Sequence, residues 1–137
     1  MSTEERERRT RRSGERNEAM LLQLEHVREV LGFDALVVAD DLGFPIVSAG
    51  DARLCLALAD SAMWHDASGG AVDELTLETL QEVREDIIAA DVHFERLEFP
   101  DAVLTFLGVG RSMASFAGFE HAAVGLSRIY TQCAVAA

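Results

Sequence analysis

An apolar stretch at residues 51–64 constrains the fold more than any other part of the sequence. From position 52 to 64 the charged residues are Arg53 and Asp60, and because they are seven residues apart, a helix places both on one narrow stripe. Most of the circumference of such a helix is apolar. A short chain buries one face of a helix in its core, so a wider apolar surface predicts a second burial partner, most simply the same helix of another subunit.

The sequence therefore predicts a homodimer held partly by this helix. The side chains that we expect in the interface are Leu54, Leu58, Ser61, Ala62 and His65. The alternative is a central helix that its own domain surrounds, although a chain of 137 residues rarely encircles a helix.

The N-terminal residues differ in composition from the rest of the chain. Residues 2–17 are almost free of apolar side chains, and Ser13 and Gly14 interrupt the helix that Glu and Arg otherwise favour. We expect a flexible, Arg/Glu-rich arm at residues 1–18 with transient helicity, followed by one domain at residues 19–137. The domain's first helix shows its apolar spacing from Met20 and ends at Gly32.

Charge and composition exclude several functions. The net charge is −12, and all twelve basic residues are arginines. A chain without lysine has neither a lysine Schiff base nor a Walker-type phosphate loop. Such an acidic body repels phosphate backbones, so nucleic-acid binding is not expected. No run is long enough to span a membrane and no signal peptide is visible, which favours a cytoplasmic protein without membrane insertion.

The residue types used in catalysis and metal binding do not form recognisable motifs. Four histidines are scattered without metal-ligand spacing, and the pair His93 and Glu95 is typical of a surface strand. Cys55 and Cys133 lie in apolar helical patterns, as small buried residues do. The sequence contains no nucleophile motif such as GxSxG. We therefore expect no enzymatic activity, no metal and no cofactor.

The remaining periodicity predicts an α/β (α+β) fold with a mostly antiparallel central sheet of about five strands flanked by helices. The predicted strands are residues 35–40, 44–48, 92–99 and 102–107, with a glycine turn at 41–43 and a helical pattern between about 73 and 88. Pro45 indicates an edge strand or a bulge. A loop is predicted at 108–119 and a last helix from 120 to about 133.

The order of these elements resembles the roadblock family, the dynein-light-chain-like domains that bacteria also use as regulators of Ras-like GTPases. The most specific match is at residues 34–48, DALVVADDLGFPIVS, which resembles the family's hairpin VVxDxxGxPVxS. Residues 21–31, 51–64 and 102–109 correspond to the first helix, the dimer helix and a late strand. The chain departs from the pattern at 73–88, which is more helical than the family's third strand, and at 110–119, which is longer and more apolar.

The resemblance implies a non-catalytic adaptor that acts by protein–protein contact in a Ras-like GTPase module for polarity or signalling. It is similar in kind to the roadblock adaptor of the bacterial gliding-motility module, which works with a GTPase-activating roadblock protein. The alternatives are a direct GTPase regulator and a small-ligand sensor domain. Arg111 is placed like an activating finger. Met113, Phe116 and Phe119 either form a docking patch for a partner or fold back onto the core.

Overall fold

The computed structural model describes residues 3–62, 74–110 and 115–135. The helices are α1 (Thr3–Leu31), α2 (Ala52–Ser61), α3 (Glu74–Val83) and α4 (Ser115–Val135), and the strands are β1 (Ala35–Asp40), β2 (Pro45–Gly50), β3 (Val92–Phe99) and β4 (Ala102–Val109). A 3₁₀ turn at Ala89–Asp91 leads into β3. None of the helices described is long and apolar enough to cross a membrane.

The sheet is antiparallel throughout the described residues, with strand order β2-β1-β4-β3. Two hairpins, β1–β2 and β3–β4, are joined in the middle by pairing between β1 and β4. This confirms the antiparallel α/β class and the central position of both apolar strands. The expected count of five strands is wrong: the described chain has four, because the segment before β3 forms helix α3.

The sheet is covered on both faces, which makes a three-layer arrangement. Residues 35–39 of β1 are apolar on both alternating sets, and both sets are buried. Leu36 and Val38 pack towards α1 and α4 in one hydrophobic cluster. Ala35, Val37 and Ala39 belong to a second cluster, which they share with α2 and α3.

The β1–β2 turn has the predicted chemistry. Gly43 has φ +84°, a conformation that glycine adopts without strain. The Asp40 carboxylate accepts hydrogen bonds from the backbone N–H groups of Leu42 and Phe44, each at 2.9 Å. The pairing register shifts between Val38 and Ala39, which pair with Val47 and Pro45, so Ile46 forms a bulge next to Pro45 on the edge strand β2, as predicted.

Helix α1 corrects the expectation that Ser13 and Gly14 interrupt the N-terminal helix. It is continuous from Thr3 to Leu31. Its first residues include three Glu–Arg pairs at i,i+4 spacing, at positions 4 and 8, 5 and 9, and 7 and 11. Each pair stabilises a helix by roughly 0.2–0.5 kcal/mol, so together they offset much of the cost of one helical glycine. The helix ends as predicted at Gly32, which has φ +73°.

Helix α4 begins at Ser115, not at the predicted residue 120, and β4 extends to Val109. α4 packs antiparallel to α1: the Leu31 side chain lies against Gly118, Gln23 lies beside Gly125, and the Arg16 guanidinium is 4.2 Å from the centre of the Tyr130 ring. The glycine at 118 allows the close approach, because a Cβ there would overlap the Leu31 side chain, whereas a Cβ at 125 would meet only the flexible end of Gln23.

Candidate interaction surfaces

The described residues of the predicted dimer interface lie inside the monomer. Leu54, Leu58, Ser61 and Ala62 are each at most 5% exposed, and the Ser61 hydroxyl donates to the carbonyl of Leu58 at 2.6 Å. Three of them, Leu54, Leu58 and Ala62, pack in the cluster between α2 and the sheet. His65 lies outside the described residues. These four side chains are therefore buried by contacts within one chain.

The outer face of α2 is the part of this helix that remains available. Ala52, Arg53, Leu56 and Asp60 are exposed, and Leu56 is 63% exposed. Asp51 begins the helix by accepting hydrogen bonds from the N–H groups of Arg53 and Leu54, at 2.9 and 3.0 Å. The helix that the sequence predicts is thus present, and its wider apolar side packs inside the chain.

The predicted partner-binding residues do not form one described surface. Phe119 is 3% exposed and stacks on Phe106, with ring centres 4.2 Å apart and planes within 2°. Of the two alternatives left open for this residue, the core position is therefore the observed one. Phe116 lies in α4, and nothing further is described for its side chain, while Arg111 and Met113 lie outside the described residues.

A buried histidine lies near the start of β3, beside the end of β4. His93 is 9% exposed, and its ring is 5.8 Å from Phe33 and 5.4 Å from Phe119, measured between ring centres. Burial lowers the pKa of His93, against the opposing effects of a hydrogen bond to the Gly110 backbone and of the Asp91 carboxylate. The sequence assigns His93 to a solvent-facing strand surface because it alternates with charged residues, and it gives no sign that α4 covers this position.

The tip of the β1–β2 hairpin exposes two large apolar side chains, Leu42 at 62% and Phe44 at 63%. The two hydrogen bonds to Asp40 hold the turn that carries them. Sequence reasoning did not select this tip, although an apolar residue on each side of Gly43 is unusual for a turn. Exposed apolar side chains on a rigid turn are a common starting point for protein–protein contact.

A cleft of about 460 Å³ lies where α1, β2, α2 and α3 meet, lined by Arg28, Asp34, Gly50, Asp51, Leu54, Val83 and Arg84. Arg84 bridges Asp34 at 3.1 Å and Asp86 at 3.0 Å, and these carboxylates raise its pKa. Gly50 has φ +99°, and a Cβ there would lie 2.3 Å from the Asp34 carbonyl oxygen. Two arginines face two aspartates, so the cleft has no net charge to select an ion.

The described residues contain no group of three or more His, Cys, Asp or Glu side chains arranged for a metal ion. Cys55 is buried, and its thiol contacts the carbonyl oxygens of Ala49 at 3.4 Å and Leu36 at 3.6 Å. Burial raises the pKa of Cys55, which keeps the group a thiol and makes it a poor nucleophile. The prediction of a small buried residue is confirmed for Cys55; no side-chain position is described for Cys133.

Comparison with known proteins identifies the fold. No family model matches the sequence, and no curated protein matches it. Among solved structures, MglB of Myxococcus xanthus is similar, with a TM-score of 0.52 and 12% sequence identity over 85% of this chain and 91% of that chain. MglB has the roadblock fold, and this chain shares it.

Proposed function

We propose that this roadblock-fold chain is a non-catalytic, homodimeric adaptor that acts in the cytoplasm, in a Ras-like GTPase module. Its partners are a second copy of itself and another roadblock protein, which connects it to the GTPase. Polarity or motility signalling is the setting that the family resemblance implies. The observation that carries the proposal is the roadblock fold over 85% of the chain, together with the roadblock-like hairpin at residues 34–48.

We propose the outer side of α2 for the dimer contact, because its inner side is already buried in the monomer. Since Leu54 and Leu58 contact the chain's own sheet, the second subunit is placed on the outer face, around Leu56. The exposed neighbours of Leu56 on this face are Ala52, Arg53 and Asp60. Arg53 and Asp60 supply opposite charges, which allows a two-fold contact to pair each with the other across the axis.

The adaptor function is tested by binding. Full-length protein is immobilised and titrated with a purified roadblock GTPase-activating protein, with and without its Ras-like GTPase. We expect direct binding to the roadblock protein, and binding of the GTPase only when that protein is present. Binding to the GTPase alone contradicts the adaptor function and supports direct regulation.

A hydrolysis assay separates the two functions. An arginine supplied in trans accelerates hydrolysis by a Ras-like GTPase about 10³-fold or more, and Arg111 is the residue that the sequence places for it. Under the adaptor function, wild type and Arg111→Ala have the same effect on hydrolysis, and Arg128→Ala, an exposed arginine on α4, is the matched control. Acceleration that disappears in Arg111→Ala alone overturns the proposal.

A further inference from the structure

The first half of α1 extends past the helix that supports its second half. α1 and α4 run antiparallel, with Leu31 beside Gly118 and Arg16 beside Tyr130, five residues before α4 ends at Val135. At 1.5 Å per residue, the start of α1 therefore projects roughly 10 Å or more beyond α4. The described side chains of residues 3–8, 11, 14 and 15 are all exposed.

This projecting helix is polar and basic, unlike the rest of the molecule. Residues 3–16 contain six arginines and four glutamates, a net charge of +2, whereas the other 123 residues carry a net charge of −14. Residues 3–15 contain no aliphatic or aromatic side chain. A contact made by this segment is therefore electrostatic, and its partner surface is acidic.

An acidic surface of matching form is present on the chain itself. Glu74, Glu78 and Glu82 follow each other at intervals of four residues, which places them on one side of α3, and Glu85 follows in the turn after the helix; all four are exposed. The inner side of α3 packs Leu77 and Leu80 on the second hydrophobic cluster. In the described part of the chain no arginine lies within ion-pair distance of these glutamates.

The two surfaces of one chain face away from each other. α1 packs with the cluster on one face of the sheet and α3 with the cluster on the other. Because the basic part of α1 projects beyond α4, its charge is directed outside its own domain. The acidic side of α3 in a second copy can lie against the basic helix, because the sheet of the first copy does not separate them. A two-fold arrangement makes this contact twice.

We propose that the basic N-terminal part of α1, residues 6–16, docks on the acidic outer side of α3 of a second copy of this chain. We choose a second copy as the partner because one sequence carries both the basic helix and an acidic surface of complementary charge. The contact also opposes the repulsion between two bodies that carry a net charge of −14 each. It rests on the self-association included in the proposed function, but it uses a surface other than the outer face of α2.

The test is sedimentation velocity on full-length protein. Arg6→Glu/Arg8→Glu/Arg11→Glu reverses the charge of the helix, and Glu78→Arg/Glu82→Arg reverses that of α3. The matched control, Arg6→Lys/Arg8→Lys/Arg11→Lys, keeps the charge. At ~0.01 M salt each reversal is expected to weaken self-association about tenfold or more, and the two reversals combined restore it. At ~1 M salt the wild type weakens to a similar extent.

Three results overturn the inference: reversal on α1 leaves self-association unchanged, reversal on α3 has no effect, or the combined variant is not restored. If wild type binds anionic vesicles but does not self-associate through these residues, the basic helix binds lipid and not a second copy. Leu56→Arg distinguishes this inference from the α2 dimer. If Leu56→Arg abolishes the dimer and the charge reversals have no effect, the proposed function stands and the inference is removed. If the reversals weaken self-association and Leu56→Arg has no effect, the inference stands and only the contact through α2 is removed.

Discussion

At the scale of single residues, two leucines on one helix separate stability from assembly. Leu58 is 0% exposed and Leu56 is 63% exposed, two positions apart on α2. We expect Leu58→Arg to lower the free energy of unfolding by about 3–5 kcal/mol, because it buries a charge without a partner. Leu56→Arg is expected to leave thermal unfolding nearly unchanged and to weaken the dimer. Thermal unfolding and light scattering on both variants provide the check, and equal melting temperatures would contradict the assignment of the inner face.

His93 makes the stability depend on pH in a direction that follows from its burial. Its pKa is lowered in the folded chain, so as the pH falls below about 6.5 the unfolded chain takes up a proton that the folded chain does not. Stability is therefore lost on acidification from pH 6.5 towards the lower folded pKa, by at most about 1.4 kcal/mol per pH unit.

The groups that face His93 are Phe33, Phe119, the Gly110 backbone and the Asp91 carboxylate. Of these groups only Asp91 is charged, and it favours the protonated form, which limits the effect. Denaturant unfolding from pH 7 to 5 is expected to show a weaker dependence in His93→Gln than in wild type. His121→Gln, at an exposed position on α4, serves as the control. An unchanged slope in His93→Gln would mean that other groups cause the acid sensitivity.

At the scale of whole elements, the strands were readable from the sequence because their signals are local. Alternating or continuous apolar residues predict β1, β3 and β4 to within two residues, and Gly32 and Gly43 have the positive φ expected at a helix end and a turn. The start of α4 was not readable, since Phe119 is held there by its stacking on Phe106, and a contact between distant segments leaves no mark in the local periodicity.

The same limit applies to α2 and to His93, whose burial the sequence did not assign to this chain's own core. The apolar circumference of α2 shows that much of it is buried, but not that the sheet and α3 bury it. His93 alternates with charged residues along β3, yet the ring lies under α4 because Phe33 and Phe119 enclose it. Which layer covers a face is decided by tertiary packing, so a surface predicted from periodicity can belong to the core.

The N-terminal part of α1 gives a prediction about stability at this scale. Deleting residues 2–13 should change the melting temperature little at a concentration where the protein is monomeric, because the segment buries no apolar side chain. Deleting residues 2–17 additionally removes Arg16 from the Tyr130 ring, which is expected to cost about 0.5–1 kcal/mol. Calorimetric melting of both truncations tests this. If the shorter deletion already destabilises the protein strongly, the segment contacts the body in solution.

At the scale of the molecule, the proposed adaptor has separate surfaces for separate tasks. The outer face of α2 is proposed for the dimer, the basic helix and α3 for a contact between copies, and the hairpin tip with Leu42 and Phe44 exposes apolar surface to other proteins. The common support of these surfaces is the sheet, whose two covered faces keep them at fixed relative positions.

The antiparallel packing of α1 on α4 has a mechanical consequence. The first residue of α1 and the last of α4 lie at the same end of the helix pair, and β1 and β4, to which these helices lead, are paired so that Ala35 is opposite Val109. Tension applied through those two helix ends therefore first separates α1 from α4, one helical turn at a time. It then separates β1 from β4, one hydrogen bond at a time. We expect optical-tweezer unfolding at low force in this geometry. Handles at Asp41 and at the end of α4 load β1 and β4 in opposite directions along their length, so that many hydrogen bonds resist together, and the rupture force should be clearly higher.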